Sequence, residues 1–264
     1  MPEPLTNITE INGNSDIRIE GIGVIMWETF IPENITRFMR ELIPEKPPLF
    51  TKIEKECRRD YVPLIEPETG QLLQVLLGIK KAERILEIGT GIGYSSLWMA
   101  LAPVQTRRHI TTVEIDPKRY ERACYYFNEA QVSSMITPLL GDAREVISQL
   151  DGTFDFVFLD AAKGQYPEFF QKIWPLLEPG GVLVFDNVLL NGWVIDLYWP
   201  ERRKKTMVCR MRKLLEMLKN HPELVTTVLP LGDGVSVSVR KNENIVKNKQ
   251  MVSKEWEKQG WEKQ

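Results

Sequence analysis

Along the middle of the chain, short continuous apolar runs alternate with longer stretches in which apolar residues recur every three or four positions. The runs cover residues 85–88, 109–113, 135–140, 154–159 and 182–185. Their length and β-branched content read as strands buried on both faces, as in a parallel sheet. Between them the spacing is helical. One helix continues through residues 97–101 and stops at Pro103. Asp116-Pro117 supplies an N-cap acid and a first-turn proline for a helix that buries Tyr120, Ala123, Cys124, Phe127 and Ala130. Val146, Ile147 and Leu150 mark a short helix. Another spans residues 165–177 and is closed by Pro179-Gly180-Gly181. Met207, Val208, Met211, Leu214, Leu215 and Leu218 form one face of a long amphipathic helix. Residues 225–229 and 235–239, joined at Gly232-Asp233-Gly234, predict a closing hairpin. The pattern is that of a doubly wound α/β sheet, mostly parallel, with an antiparallel pair at its C-terminal end.

Upstream, residues 31–43 place Ile35, Phe38, Met39 and Leu42 on one helical stripe, ended by Pro44 and Pro47-Pro48. A charged helical stretch covers residues 50–60. A helix then starts near Pro67 and buries Leu72, Leu73, Leu76 and Leu77. Residues 1–24 read as a loosely ordered extension, and residues 241–264, polar apart from Trp256 and Trp261, as a mobile tail or loosely attached helix. The expected organisation is an N-terminal extension with a helix (1–50), one α/β domain (51–240) and a tail (241–264).

Composition adds little beyond exclusions. With 43% hydrophobic and 27% charged residues and a net charge of -2, the chain has no global attraction to nucleic acid or membrane. Cys57, Cys124 and Cys209 are widely spaced and lack a CxxC, so a disulfide framework or zinc site is not expected and a reducing cytoplasm fits. Acidic residues near the N-terminus argue against a signal peptide, no apolar run has the length of a membrane span, and the sequons at Asn7 and Asn34 read as chance matches.

Chemistry concentrates where the strands end. After residues 85–88 come Gly89, Gly91 and Gly93, a turn in which the backbone approaches a ligand closely, followed by a helix N-terminus at Tyr94-Ser95-Ser96. A dinucleotide fingerprint would place its third glycine where Tyr94 stands. Glu87, just before the turn, suits a cationic or donor-bearing ligand better than a pyrophosphate. Glu114, at the end of the next strand, lies where an acid accepts from ribose hydroxyls. The later strand ends carry Asp142-Ala143, Asp160-Ala161-Ala162-Lys163 and Asp186-Asn187. Asp160, Asp186 and Asn187 offer two carboxylates and one amide oxygen, a hard donor set for a cation such as Mg2+, although Asp186-Asn187 alone is also an ordinary post-strand turn. Lys163, one helical turn beyond Asp160, is either a general base lowered by a neighbouring cation or a solvated loop lysine. Tyr166 either lines the site or packs.

The glycine turn with its two following acids resembles motifs I and II of class I S-adenosylmethionine (SAM) methyltransferases. The stretches "ILEIGTGIGYSS", "VEIDPKRYERA", "GDAREVI", "FDFVFLDAAKGQYPEFF", "GGVLVFDNVLLNG" and "LGDGVSVSV" resemble the metal-dependent O-methyltransferases that include catechol and caffeoyl-CoA O-methyltransferases. The resemblance runs from about Tyr61 to Arg240. It implies a seven-stranded Rossmann-like sheet, a homodimer, SAM as methyl donor, and Mg2+ holding the acceptor hydroxyl. Carried over residue by residue, it makes Asp160, Asp186 and Asn187 metal ligands, Lys163 the catalytic base with Asp160 beside it, and Glu87, Gly89, Gly91, Ser95, Glu114, Ala143 and Asp160 SAM contacts. Val62 and Ile65 would border the methionine end. "RDYVPLIEPETGQLL" with "DAAKGQY" resembles a bacterial branch that includes the tRNA 5-hydroxyuridine methyltransferase, whose product is wobble 5-methoxyuridine; the plant enzymes have DADK in that place.

Residues 201–213 carry seven basic groups and one acid, a net of +6. They read equally as a phosphate-facing rim, with Arg210 and Arg212 beside the apolar stripe, or as the solvated face of a helix. Trp193, Tyr198 and Trp199 suit stacking on an unpaired base or a catechol ring. Three function classes follow: methylation of 5-hydroxyuridine in tRNA, favoured by the branch resemblance and the basic segment; methylation of a small catechol or phenol as the alternative; and SAM binding without catalysis.

Overall fold

The computed structural model describes residues 31–104, 107–195 and 204–242. The expectations for residues 1–24, for Tyr198, Trp199, Arg202 and Arg203, and for the tail beyond residue 242 lie outside the described residues.

Seven strands form one sheet: β1 (Arg84–Ile88), β2 (His109–Glu114), β3 (Ile136–Leu140), β4 (Phe154–Leu159), β5 (Leu177–Phe185), β6 (Leu224–Leu229) and β7 (Val235–Arg240). Their order is β3-β2-β1-β4-β5-β7-β6. β1 to β5 run parallel, and β7 is antiparallel to both β5 and β6. The predicted mixed sheet is therefore present. The chain fills the sheet outward from β1 in one direction, then returns to β4 beside β1. That reversal opens a crevice at the carboxyl ends of β1 and β4.

Strand alternation divides the core. Ile85, Phe156, Phe158 and Val184 face one layer with α2 (Pro48–Asp60), α3 (Pro67–Lys80), α4 (Tyr94–Ala100) and α5 (Pro117–Glu129). Leu86, Ile88, Val157, Leu159 and Phe185 face the other, with α7 (Tyr166–Ile173) and α8 (Lys205–Asn220). The short α6 (Ala143–Val146) follows β3. Asp116 caps α5 by accepting from the backbone N–H groups of Lys118 and Arg119 at 2.8 and 3.1 Å.

Three local expectations change. The stripe on α1 (Glu33–Glu41) points outward: α1 buries no residue, and Ile35, Phe38 and Leu42 are exposed. The helix expected over residues 165–177 is regular only to Ile173, because Pro175 cannot donate to the next turn, and residues 174–176 tighten into a 3-10 turn. Pro179-Gly180-Gly181 then lies inside β5 rather than closing a helix. Gly180 takes a φ of 78° where the register against β4 shifts between Phe154 and Phe156.

All three cysteines are free thiols. Among the described residues no helix is long and apolar enough to cross a membrane.

Candidate active site

The glycine turn after β1 is dictated by contact. A Cβ on Gly89 would stand 2.1 Å from the Asp160 carbonyl oxygen, and one on Gly93 2.5 Å from the Phe127 ring. Gly89, Gly91 and Gly93 all have positive φ. The backbones of β1 and β4 thus meet at the crevice, where Asp160 N–H donates to Ile88 O at 2.9 Å.

Glu87 lies beneath this turn, fully buried. Ser95 Oγ donates to its Oε1 at 2.5 Å, and Thr112 Oγ1 (2.6 Å) and Ser96 Oγ donate to its Oε2. Burial nevertheless pushes its carboxyl up to about 7, against the pull of these hydroxyls. Glu114 is fixed by backbone alone: Oε2 accepts from Gly91 N–H at 2.7 Å, and Oε1 from Ile115 and Asp116 N–H at 3.0 and 2.9 Å. That carboxylate stitches the end of β2 to the glycine turn.

A cavity of about 550 Å3 opens here. Gly89, Gly91, Ser95, Ile65, Glu114, Ala143, Asp160, Lys163 and Asn187 line it, so most of the expected site residues converge. Glu87 is not on its wall but one layer below, bonded to wall residue Ser95. Val62 lines a neighbouring cavity of about 410 Å3, across residues 63–65. Ala143 opens α6, where first-turn N–H groups have no intrahelical acceptor. Asp142, before it, is held at about 2 by the Arg144 side chain, with help from the Arg144 backbone N–H.

On the other side, Asp160 and Asp186 follow directly on paired residues Leu159 and Phe185 of β4 and β5; Asp160 lines the cavity, whereas Asp186 lies behind the wall. Asp186 is buried and accepts from Asn187 N–H at 2.8 Å. Burial first, and the Asp160 charge second, raise its carboxyl to about 7. Asn187 takes a left-handed φ of 56°, which asparagine tolerates better than most residues. Among the described residues no three His, Cys, Asp or Glu side chains gather as metal ligands. The candidate set has only two such groups, completed by the Asn187 amide. A carboxylate raised by burial and by its neighbour's charge, that neighbour, and an amide oxygen together fit a hard divalent cation.

Lys163 donates to Asp160 Oδ1 and lies 3.1 Å from the Tyr166 hydroxyl. Burial would lower its ammonium, but Tyr166 and Asp160 together hold it above the ordinary lysine value. The expected lowering depends on a cation beside it and is not a property of the chain alone. Tyr166 packs rather than lining the site: it is fully buried, and its hydroxyl lies 3.0 Å from Asp186 O and 3.3 Å from Leu159 O.

A glycine turn over a buried acid, a second acid at the next strand end, and an oxygen-rich wall opposite are the arrangement expected for SAM facing a hydroxyl. The O-methyltransferase family model matches residues 43–241. The chain belongs to the O-methyltransferase family. A catechol O-methyltransferase of Niastella koreensis is 34% identical over 186 residues, covering 67% of this chain and 82% of that protein. The catechol O-methyltransferase domain-containing protein 1 of Mus musculus is 30% identical over 239 residues, covering 83% and 89%. Among solved structures, the O-methyltransferase of Bacillus cereus in complex with SAH superposes with a TM-score of 0.71 at 26% identity over 79% of this chain and 97% of that one. TomG from Streptomyces achromogenes, involved in tomaymycin synthesis and solved with SAM, gives 0.69 at 30% identity over 79% and 96%. This O-methyltransferase is accordingly a SAM-dependent enzyme of the catechol and caffeoyl-CoA type.

Two arginines of the basic segment have partners that neither expected reading named. Arg210 Nη1 donates to Gly164 O at 3.0 Å, and Arg212 donates to carbonyls of residues 193–195. Both guanidinium groups bond to backbone carbonyls of neighbouring loops, although Arg210 itself is exposed. A charge count carries no information on direction, so the sequence held no signal for these roles. Thr112 was also missed. Its alternation with Val113 puts it on the Glu87 face, which strand periodicity would have shown.

Proposed function

We propose that this O-methyltransferase acts on a small vicinal dihydroxyphenyl (catechol-type) acceptor, whose hydroxyl is held by Mg2+ at Asp160, Asp186 and Asn187. The observation that carries this reading is the oxygen-donor set that follows β4 and β5: Asp160 and Asn187 line the strand-end cavity, and buried Asp186 lies near enough for the Asp160 charge to add to burial in raising its carboxyl. When bound, the ion supplies a lowered pKa for the acceptor hydroxyl and a counter-charge for its oxygen. The chain does the rest. Gly89, Gly91, Ser95, Glu114 and Ala143 hold SAM at the crevice, with Glu87 fixing Ser95 from below. Lys163 stands to take the acceptor proton at Nζ once the charge of Asp160, which now stabilises its ammonium, is engaged elsewhere. The methyl group then passes from the SAM sulfur to the acceptor oxygen, a transfer favoured chiefly by proximity.

The tRNA 5-hydroxyuridine reading stands second. It rests on the branch resemblance and the basic segment, and Arg210 and Arg212 are engaged within the fold. A homodimer and a cytoplasmic location follow from the same resemblance and from the unpaired cysteines; sedimentation reads the former. The deciding experiment supplies labelled SAM and Mg2+ to a simple catechol and to tRNA bearing 5-hydroxyuridine in parallel. Efficient labelling of the catechol supports the first reading. Labelling of tRNA alone, falling steeply with salt, replaces it with the second. SAM binding without transfer to either removes both.

A further inference from the structure

The loop that follows Asn187 is held in an unfavourable backbone state from two sides. Leu190, Asn191 and Gly192 take consecutive left-handed conformations, with φ of 48°, 52° and 79°. A leucine side chain is disfavoured there, yet Leu190 is buried at 4% exposure. On one side the β6–β7 turn grips the loop. Val188 and Leu189 N–H donate to Gly234 O and Asp233 O at 2.9 and 3.0 Å, and Asn191 N–H donates to Asp233 Oδ1. On the other side stands Arg212 of α8. Its Nε donates to Val194 O at 2.9 Å, and its Nη2 to Trp193 O at 3.2 Å and Ile195 O at 3.0 Å. Lys204, also from the basic segment, lies 4.2 Å over the Trp193 ring.

One guanidinium gathering three successive carbonyls is a strut, since its rigid fork fixes their relative positions. The loop it fixes continues directly from Asn187, at the acceptor end of the cavity. The residues assigned to SAM come from other strand ends, and residues 190–195 do not line that cavity. We propose that Arg212 is a positioning residue for the methyl acceptor: it sets the turn over residues 190–195 as a wall beside Asn187, without acting on SAM. The location of the acceptor rests on the reading under Proposed function; the strut itself does not.

The test uses the full chain with Arg212→Met and Arg212→Lys, measuring catechol KM and kcat, SAM affinity, and hydrogen exchange at the Trp193 and Ile195 amides. Those amides bond to Leu190 O and Gly192 O within the turn. Arg212→Met is expected to raise catechol KM about tenfold while SAM affinity changes by less than about twofold, and Arg212→Lys to recover part of the loss. The two amides should exchange about tenfold faster in Arg212→Met, with strand amides unchanged. An unchanged catechol KM, or equal losses for catechol and SAM, overturns the proposal. If the wild type binds SAM but does not methylate catechol, the acceptor reading fails separately. Exchange then decides for the strut: faster exchange confined to the turn supports it, and unchanged exchange refutes it.

Discussion

At the level of single residues, the site is built from groups whose surroundings oppose their preferred state. Glu87 shows it most clearly. Three hydroxyls donate to it, yet burial holds its carboxyl near 7. A folded-state value above the unfolded one means that the folded chain binds more protons between pH 4.5 and about 7, so the Glu87 contribution favours folding below that window and is lost as pH rises through it. Glu87→Gln should therefore gain stability relative to wild type as pH rises from 5 to 8, by a difference on the order of 3 kcal/mol. Thermal melts of the SAM-free proteins across that range would read it, and parallel pH curves would contradict it. At Gly89 the constraint is steric, because a Cβ would meet the Asp160 carbonyl at 2.1 Å. Gly89→Ala should destabilise by about 1–3 kcal/mol and weaken SAM binding at the same time, as seen by denaturant unfolding and calorimetry. The strand-end acids were legible in the sequence because a run of buried strands ending in carboxylates has few structural explanations. Arg210 and Arg212 were not, because their contacts depend on where two distant loops arrive.

Among the elements, the strands were the most legible. Four of the five runs sit inside a parallel strand, the run at 135–140 does so from Ile136 onward, and both hairpin strands pair as expected. Errors fell where one local rule met another. Pro175 divides an otherwise helical pattern, and a glycine pair that looks like a helix stop serves as an irregularity within β5. The α1 stripe has helical spacing, but spacing does not say whether a face finds a partner, and Ile35, Phe38 and Leu42 stay exposed. On α3 the same reasoning separates two faces. Leu73 is fully buried and Val75 is 48% exposed. Leu73→Ala should cost about 2–5 kcal/mol, whereas Val75→Ala should stay within about 0.5 kcal/mol. Equal effects in urea unfolding would mean that α3 is packed differently. The left-handed turn at Leu190-Asn191-Gly192 had no sequence signature beyond Asn-Gly, and its conformation comes from the groups that clamp it.

For the molecule as a whole, topology makes the site. Reversal of strand order between β1 and β4 opens the crevice, and Asp160 and Asp186 follow the carboxyl ends of the neighbouring strands β4 and β5. The alternation of strands and helices was enough to place that crevice; the identity of the acceptor was beyond it, because acceptor contacts come from loops rather than from the periodic part of the chain. The proposed activation of the acceptor hydroxyl by a divalent cation at Asp160, Asp186 and Asn187 is read by catechol turnover in wild type and Asp186→Ala with excess EDTA and again after Mg2+ is restored. EDTA should abolish turnover, Mg2+ should restore it in wild type, and Asp186→Ala should stay inactive while still binding SAM. Full turnover in EDTA, or wild-type rates from Asp186→Ala, would contradict it.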